Sequence, residues 1–186
     1  MVDLKEFEQK AADLRVLGMK ISIGQDTVYE KYWDEDCRRN IYSASKSFTS
    51  CAVGFAVQEG LIDLDERLMD AFKEDIPNNP DENLKKATVK DLLTMTLGQE
   101  KGFLMGKQRP RMEEQNWVKA SLAIPFVYEP GTHFVYNNVG PYLAGILVQR
   151  RAGCDLLSYL TPRLLKPLGI RKTIWEVDPE GNTFGA

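Results

Sequence analysis

Ser43 and Lys46 stand three residues apart in the run Ile41-Tyr42-Ser43-Ala44-Ser45-Lys46-Ser47-Phe48. On a helix that spacing puts both side chains on one face. A serine hydroxyl is a weak nucleophile until a neighbouring base takes its proton, and an amine can be that base only when burial or nearby positive charge depresses its pKa. The start of a helix adds a positive field and points free backbone N–H groups, that of Ser43 included, toward an oxyanion forming on an acylated carbonyl. The four letters alone are cheap, because seven serines and 14 lysines in 186 positions give about 0.5 chance matches. The competing reading is an N-capping serine beside a solvated lysine. A second candidate is Phe134-Val135-Tyr136-Asn137-Asn138, just after Glu129-Pro130-Gly131-Thr132. Tyr136 held near an ammonium would have a lowered pKa and could shuttle protons, while Asn138 could hydrogen-bond a substrate amide or the lysine. Otherwise Tyr136 is a packing aromatic and Asn138 a helix cap.

These residues need elements to place them. Leu4, Phe7, Ala11 and Leu14 recur at helical spacing behind Asp3, with Gly18 as a stop. Residues 19–23 and 27–33 are rich in β-branched and aromatic side chains and are joined through Gly24-Gln25-Asp26, which reads as a β-hairpin. From 43 to 59 the pattern is helical, with Phe48, Ala52, Phe55 and Ala56 on one side and Gly60 as the stop, too apolar for a surface helix. Further helices are expected over 89–96 behind Thr88, over 112–122, over 139–151 and over 155–165. The segments 76–81 and 102–111 read as surface loops. One hairpin and a possible strand at 173–177 are little sheet for so many helices, and a lone hairpin needs more strands or a covering helix.

With 24 Lys plus Arg against 27 Asp plus Glu, a net charge of -3 and 43% hydrophobic residues, the composition is that of one soluble globular domain. The basic pairs are scattered, which argues against nucleic-acid binding. No apolar stretch approaches the ~20 residues of a membrane span. Asp3, Glu6 and Glu8 stand where a secretory signal would need a basic start and an apolar run, so a cytoplasmic location is expected. Three dispersed cysteines, Cys37, Cys51 and Cys154, form neither a disulfide framework nor a zinc knuckle and read as free, mostly packed thiols. His133 is the only histidine, which excludes a multi-histidine metal centre. The acidic run Asp34-Glu35-Asp36 beside Cys37 reads as a solvated loop in preference to a metal site. No metal and no cofactor is called for.

The two motifs come in a telling order with telling text between them. Ser43-Ala44-Ser45-Lys46-Ser47-Phe48-Thr49, Glu59-Gly60-Leu61-Ile62-Asp63-Leu64-Asp65, Val89-Lys90-Asp91-Leu92-Leu93-Thr94-Met95-Thr96, the run from Pro130 through Tyr136 to Asn138, and Pro167-Leu168-Gly169-Ile170 together resemble the serine β-lactamase and penicillin-binding-protein superfamily. The similarity is nearest to the class C β-lactamase-related hydrolases and esterases. It implies an α/β (α+β) fold, an antiparallel sheet flanked by helices plus a helical subdomain. It also implies that Ser43 is the acylated nucleophile, Lys46 its activating partner, Tyr136 the proton shuttle and Asn138 the substrate-binding amide. No role is implied for His133. Met95 and Leu97 stand where relatives often carry His and Ser, and Asn137 replaces the commoner Ser.

The family's third motif, Lys-Thr-Gly or His-x-Gly on a C-terminal strand, has no counterpart in this sequence. Residues 1–186 are therefore expected to form a single, truncated domain, with a hairpin at 19–33, mostly helix thereafter, and the C-terminal strands missing. The implied activity is that of a serine hydrolase acting through an acyl-enzyme on a small ester, amide or β-lactam substrate. The alternative is a non-catalytic or inactive form acting in binding or sensing. An unpaired sheet edge would favour self-association or complementation by another chain.

Overall fold

A computed structural model describes residues 3–35 and 37–186, which divide into two compact units, Met1–Asn40 and Ile41–Ala186. Asp36 of the acidic run lies outside the described residues, while Asp34 pairs with Arg39 at 2.8 Å.

In the first unit, α1 spans Lys5–Asp13. Asp3 accepts the Lys5 backbone N–H at 3.1 Å, and Glu6 and Glu8 occupy the first turn, where the helix dipole favours negative charge. The hairpin follows as expected, β1 (Gly18–Ile23) antiparallel to β2 (Asp26–Tyr32), with a bulge between Ile21 and Ser22. The turn needs the positive φ of Gly24. Its cover is α1: Glu8 accepts hydrogen bonds from the Tyr29 hydroxyl (2.7 Å) and from Lys31 Nζ (2.5 Å), and Phe7 meets Trp33 edge-on with centroids 6.1 Å apart. These contacts hold the Glu8 carboxyl below the usual carboxylate range, chiefly through Lys31.

The second unit is helical: α2 (Ser45–Gln58), α3 (Leu68–Ala71), α4 (Glu82–Lys86), α5 (Val89–Thr94), α6 (Trp117–Leu122), α7 (Val139–Ala152) and α8 (Leu156–Leu160), which runs into a π-helical turn at Thr161–Leu165. Every residue of α7 from Val139 to Gln149 is buried. A helix apolar on all sides belongs inside a core, and α2, α5 and α8 pack around this one. Its crossing with α5 depends on Gly140, where a Cβ would lie 2.2 Å from the Leu92 carbonyl oxygen. On α2, Thr49, Ala52, Val53 and Ala56 are buried and Phe48 and Phe55 pack on the core. The outward face carries Ser47, Ser50, Cys51, Gly54 and Val57. The apolar side of this helix is thus covered, and what it exposes is mainly small and polar.

Three expectations are corrected. The helix placed at 112–122 begins only at Trp117, because Asn116 caps it by accepting the Lys119 N–H at 2.9 Å. Residues 173–177 form no strand. They meet the chain again through one bridge, Val177 to Thr183, because the buried Asp178 carboxylate accepts the N–H groups of Glu180 and Asn182 and turns the backbone sharply. The described sheet therefore has two strands. All three cysteines are free, but each is exposed and none is packed, since they sit on outward helix positions or in loops.

After that turn the chain locks onto α7. The Tyr142 hydroxyl donates to Asp178 at 2.7 Å, Gln149 exchanges two hydrogen bonds with Thr183, and Thr49 donates to the Gly185 carbonyl. Phe184 packs against Trp117 and Tyr142. Burial, and then the hydrogen bond to Asp178, push the Tyr142 phenol far above its ordinary pKa. Among the described residues no helix is long and apolar enough to cross a membrane.

Candidate active site

Ser43 lies in a 3₁₀ turn, Tyr42–Ala44, immediately before α2. Tyr42 adopts φ +46°, a left-handed conformation that costs a non-glycine residue roughly 1–2 kcal/mol. Among the bonds that hold the turn are the Ala44 N–H to the Ile41 carbonyl at 3.1 Å and the Ser45 hydroxyl to the Tyr42 carbonyl at 2.7 Å. Ser45 is thereby spent on structure and only 8% exposed, whereas Ser43 remains exposed.

Two side chains converge on the Ser43 oxygen. The Tyr136 hydroxyl donates to Ser43 Oγ at 2.7 Å, and Lys46 Nζ donates to the same oxygen at 3.1 Å. Both distances are within the reach of proton transfer. Lys46 Nζ also lies 5.5 Å from the centre of the Tyr136 ring. Burial pushes the Lys46 amine below its ordinary pKa; Tyr136 opposes this and the positive charge of Arg109 adds to it. The Tyr136 phenol is also lowered, first by its hydrogen bond with Ser43 and further by the Lys46 charge, against a desolvation cost. Each group is thus displaced toward the form that could accept the serine proton.

Tyr136 comes from a loop tied down on two sides. Gly131 N–H bonds the Thr96 carbonyl (2.9 Å) and Val135 N–H bonds that of Met95 (3.0 Å), where Met95 ends α5 in the left-handed conformation. On the other side, the backbone at Gly102 approaches so closely that a Cβ there would sit 2.8 Å from the Tyr136 carbonyl oxygen. Helix α5 is fixed by Asp91, whose carboxylate accepts the backbone N–H and the hydroxyl of Thr88.

Asn138 occupies the N-cap position of α7, yet its side chain does not cap. The cap is Asn137, whose Oδ1 accepts the Gly140 N–H at 3.0 Å while its Nδ2 bonds the Val135 carbonyl. Asn138 turns instead to the Leu104 carbonyl, donating from Nδ2 at 2.9 Å. Its Oδ1 is buried without a protein partner. No hydrogen bond among the described residues joins it to Ser43, Lys46 or Tyr136. His133 also stays apart from them, stacked on Tyr128 with centroids 4.2 Å apart and bonded to Thr132.

Arg109 is the residue that sequence reasoning missed. The stretch 102–111, expected to run over the surface, buries Leu104 completely and leaves the Arg109 side chain only 17% exposed. Its ion-pair partner, Glu176, is 67 residues away, and no local spacing signals such a pair.

The Beta-lactamase family model matches residues 5–183. Monacolin J acid methylbutanoyltransferase of Aspergillus terreus is 31% identical over 157 residues, an overlap of 74% of this chain and 37% of that protein. Lovastatin esterase of Penicillium rubens is 31% identical over 150 residues, 69% of this chain and 37% of that protein. In three dimensions the octameric penicillin-binding protein homologue from Pyrococcus abyssi superposes with a TM-score of 0.71 at 23% identity, over 94% of this chain and 45% of that one. The chain spans little more than a third of the length of these two curated relatives and less than half of that solved chain.

Proposed function

The chain belongs to the beta-lactamase family, and on that premise we propose that it is a serine hydrolase that works through an acyl-enzyme formed on Ser43. Ser43 Oγ attacks the carbonyl carbon of a small ester, amide or β-lactam, and its proton passes to the neutral Lys46 amine, with Tyr136 shuttling it on toward the leaving group. The tetrahedral oxyanion collapses, the leaving alcohol or amine takes up that proton, and the acyl group remains on Ser43 as an ester. Water then attacks, with the same two groups moving its proton, and releases the acid. One observation carries most of this: two proton-bearing groups, both with lowered pKa, within 3.1 Å of one exposed serine oxygen. Asn138 contributes its buried, unpartnered Oδ1, an acceptor for a donor arriving with substrate, since such an atom costs roughly 1–3 kcal/mol until it is paired. One relative's name specifies an esterase and the other's an acyl transferase, and both activities need the same first step.

Incubation with p-nitrophenyl acetate is expected to add one acetyl group to the chain by intact-mass measurement, and Ser43→Ala is expected to abolish the adduct. An adduct of equal yield on Ser43→Ala contradicts the assignment.

We read residues 1–186 as one domain, on the strength of a family match that runs through both units. The two outer edges of the hairpin meet no third strand among the described residues, and Ile23 and Val28 are exposed on it. Such an edge is a template for another strand, so the chain is expected to pair with a second copy or with a separate chain, and to turn over poorly alone. Light scattering at low micromolar concentration should give a mass above that of the monomer. A stable monomer with ordinary ester turnover would reject this.

A further inference from the structure

We propose that Arg109 is the positioning residue of this site, a clamp that fixes the Leu104 carbonyl against Asn138; this rests on the reading of Ser43 as nucleophile. The Leu104 carbonyl is a shared node. It accepts Asn138 Nδ2 and Arg109 Nη1, each at 2.9 Å, and Leu104 is fully buried with φ +55°, a strained conformation that needs surrounding contacts to persist. The Phe103 carbonyl beside it accepts the Asn138 backbone N–H at 3.2 Å. Arg109 is in turn held on three sides: Nε and Nη2 fork onto Glu176 (3.3 and 2.9 Å), Nη1 reaches Leu104, and the guanidinium lies 4.4 Å from the centre of the Phe184 ring. Only a planar fork with five donors can satisfy a carboxylate and a carbonyl while stacking on a ring, so a lysine ammonium cannot substitute.

The charge of the same guanidinium also acts on the lysine whose neutral form is required. The groups that act on the Lys46 ammonium are Tyr136 from the loop before α7, which favours it, and Arg109 from the 102–111 stretch, which disfavours it. Ser43 bonds it without carrying charge, and Glu176 offsets part of the Arg109 charge. The Arg109 clamp therefore acts in two ways, by holding the loop against which Asn138 is oriented and by making Lys46 easier to deprotonate.

The test is the pH profile of Ser43 phosphonylation by a fluorophosphonate in the parent, Arg109→Met, Arg109→Lys and Glu176→Gln. Arg109→Met should move the acid limb to higher pH and slow labelling at neutral pH by about 10- to 100-fold. Arg109→Lys should return the limb toward the parent position yet leave the plateau slow, because charge is restored without the fork. Glu176→Gln, the variant least disturbing to folding, should keep the charge and lower the plateau. An unmoved limb in Arg109→Met, with labelling reduced only in proportion to lost folded protein, would overturn the proposal. Two readouts stand apart from the chemistry. Lys46 titration by ¹³C NMR of labelled lysine should move upward in Arg109→Met, and exchange of the Asn138 side-chain amide protons should quicken. If the parent is not labelled, the nucleophile reading fails, and these two readouts alone decide the clamp: both unchanged overturns it.

Discussion

Lys46→Arg is expected to slow acylation of Ser43 by about 10²- to 10⁴-fold, although the positive charge is kept. Arginine cannot give up its proton in this pH range, so the variant separates a lysine that acts as a base from one that only pairs with a phenol or fills space. The parent's pH dependence has a definite sign. The base is the neutral amine, so acylation rises with pH as Lys46 loses its proton. Burial places the midpoint of that rise below the ordinary value for lysine. A chromogenic ester and stopped-flow detection suffice to measure both effects. Lys46→Arg acylating within a few-fold of the parent would make this residue structural.

Tyr136→Phe should lower acylation by a similar factor, again about 10²- to 10⁴-fold, while changing stability little. The residue is 44% exposed, and the variant removes only the hydroxyl that donates to Ser43. Tyr136→Phe and Arg109→Met differ in a way that packing cannot imitate. Tyr136 favours the protonated form of Lys46, so without the hydroxyl the midpoint of the surviving activity should move to lower pH. Loss of Arg109 should move it to higher pH. Denaturant midpoints measured beside the rates complete the comparison: unchanged turnover with a clear loss of stability would mean that Tyr136 is a packing residue.

Much of this was legible before any coordinates. The helix at 43–59 announced itself through apolar periodicity with Gly60 as its stop, and the hairpin through β-branched and aromatic segments joined by Gly24-Gln25-Asp26. The meeting of Ser43 and Lys46 followed from a spacing of three, and Tyr136 was brought to them by a family resemblance that the family match bears out. What failed did so for physical reasons. Helix α6 starts late because a cap at Asn116 overrides the periodicity of the residues before it. Residues 173–177 have strand-like composition but no partner strand, because the Asp178 turn captures them first. The alternative reading of Asn138 as a helix cap gives way because Asn137 makes that cap, and two adjacent asparagines give sequence reasoning no means to tell which side chain faces the helix. Arg109 was invisible because its role depends on Leu104, Glu176 and Phe184, which only the folded chain brings together.

The most direct measurement is peptide mapping by mass spectrometry after reaction with a fluorophosphonate. Ser43, Ser45 and Ser47 fall within five residues of one another, but Ser45 is buried and bonded to the Tyr42 carbonyl, and only Ser43 has both Lys46 and Tyr136 on its oxygen. A single adduct is predicted on Ser43, lost in Ser43→Ala and strongly slowed in Lys46→Arg. An adduct on Ser45 or Ser47, or labelling that survives Ser43→Ala, would contradict the account.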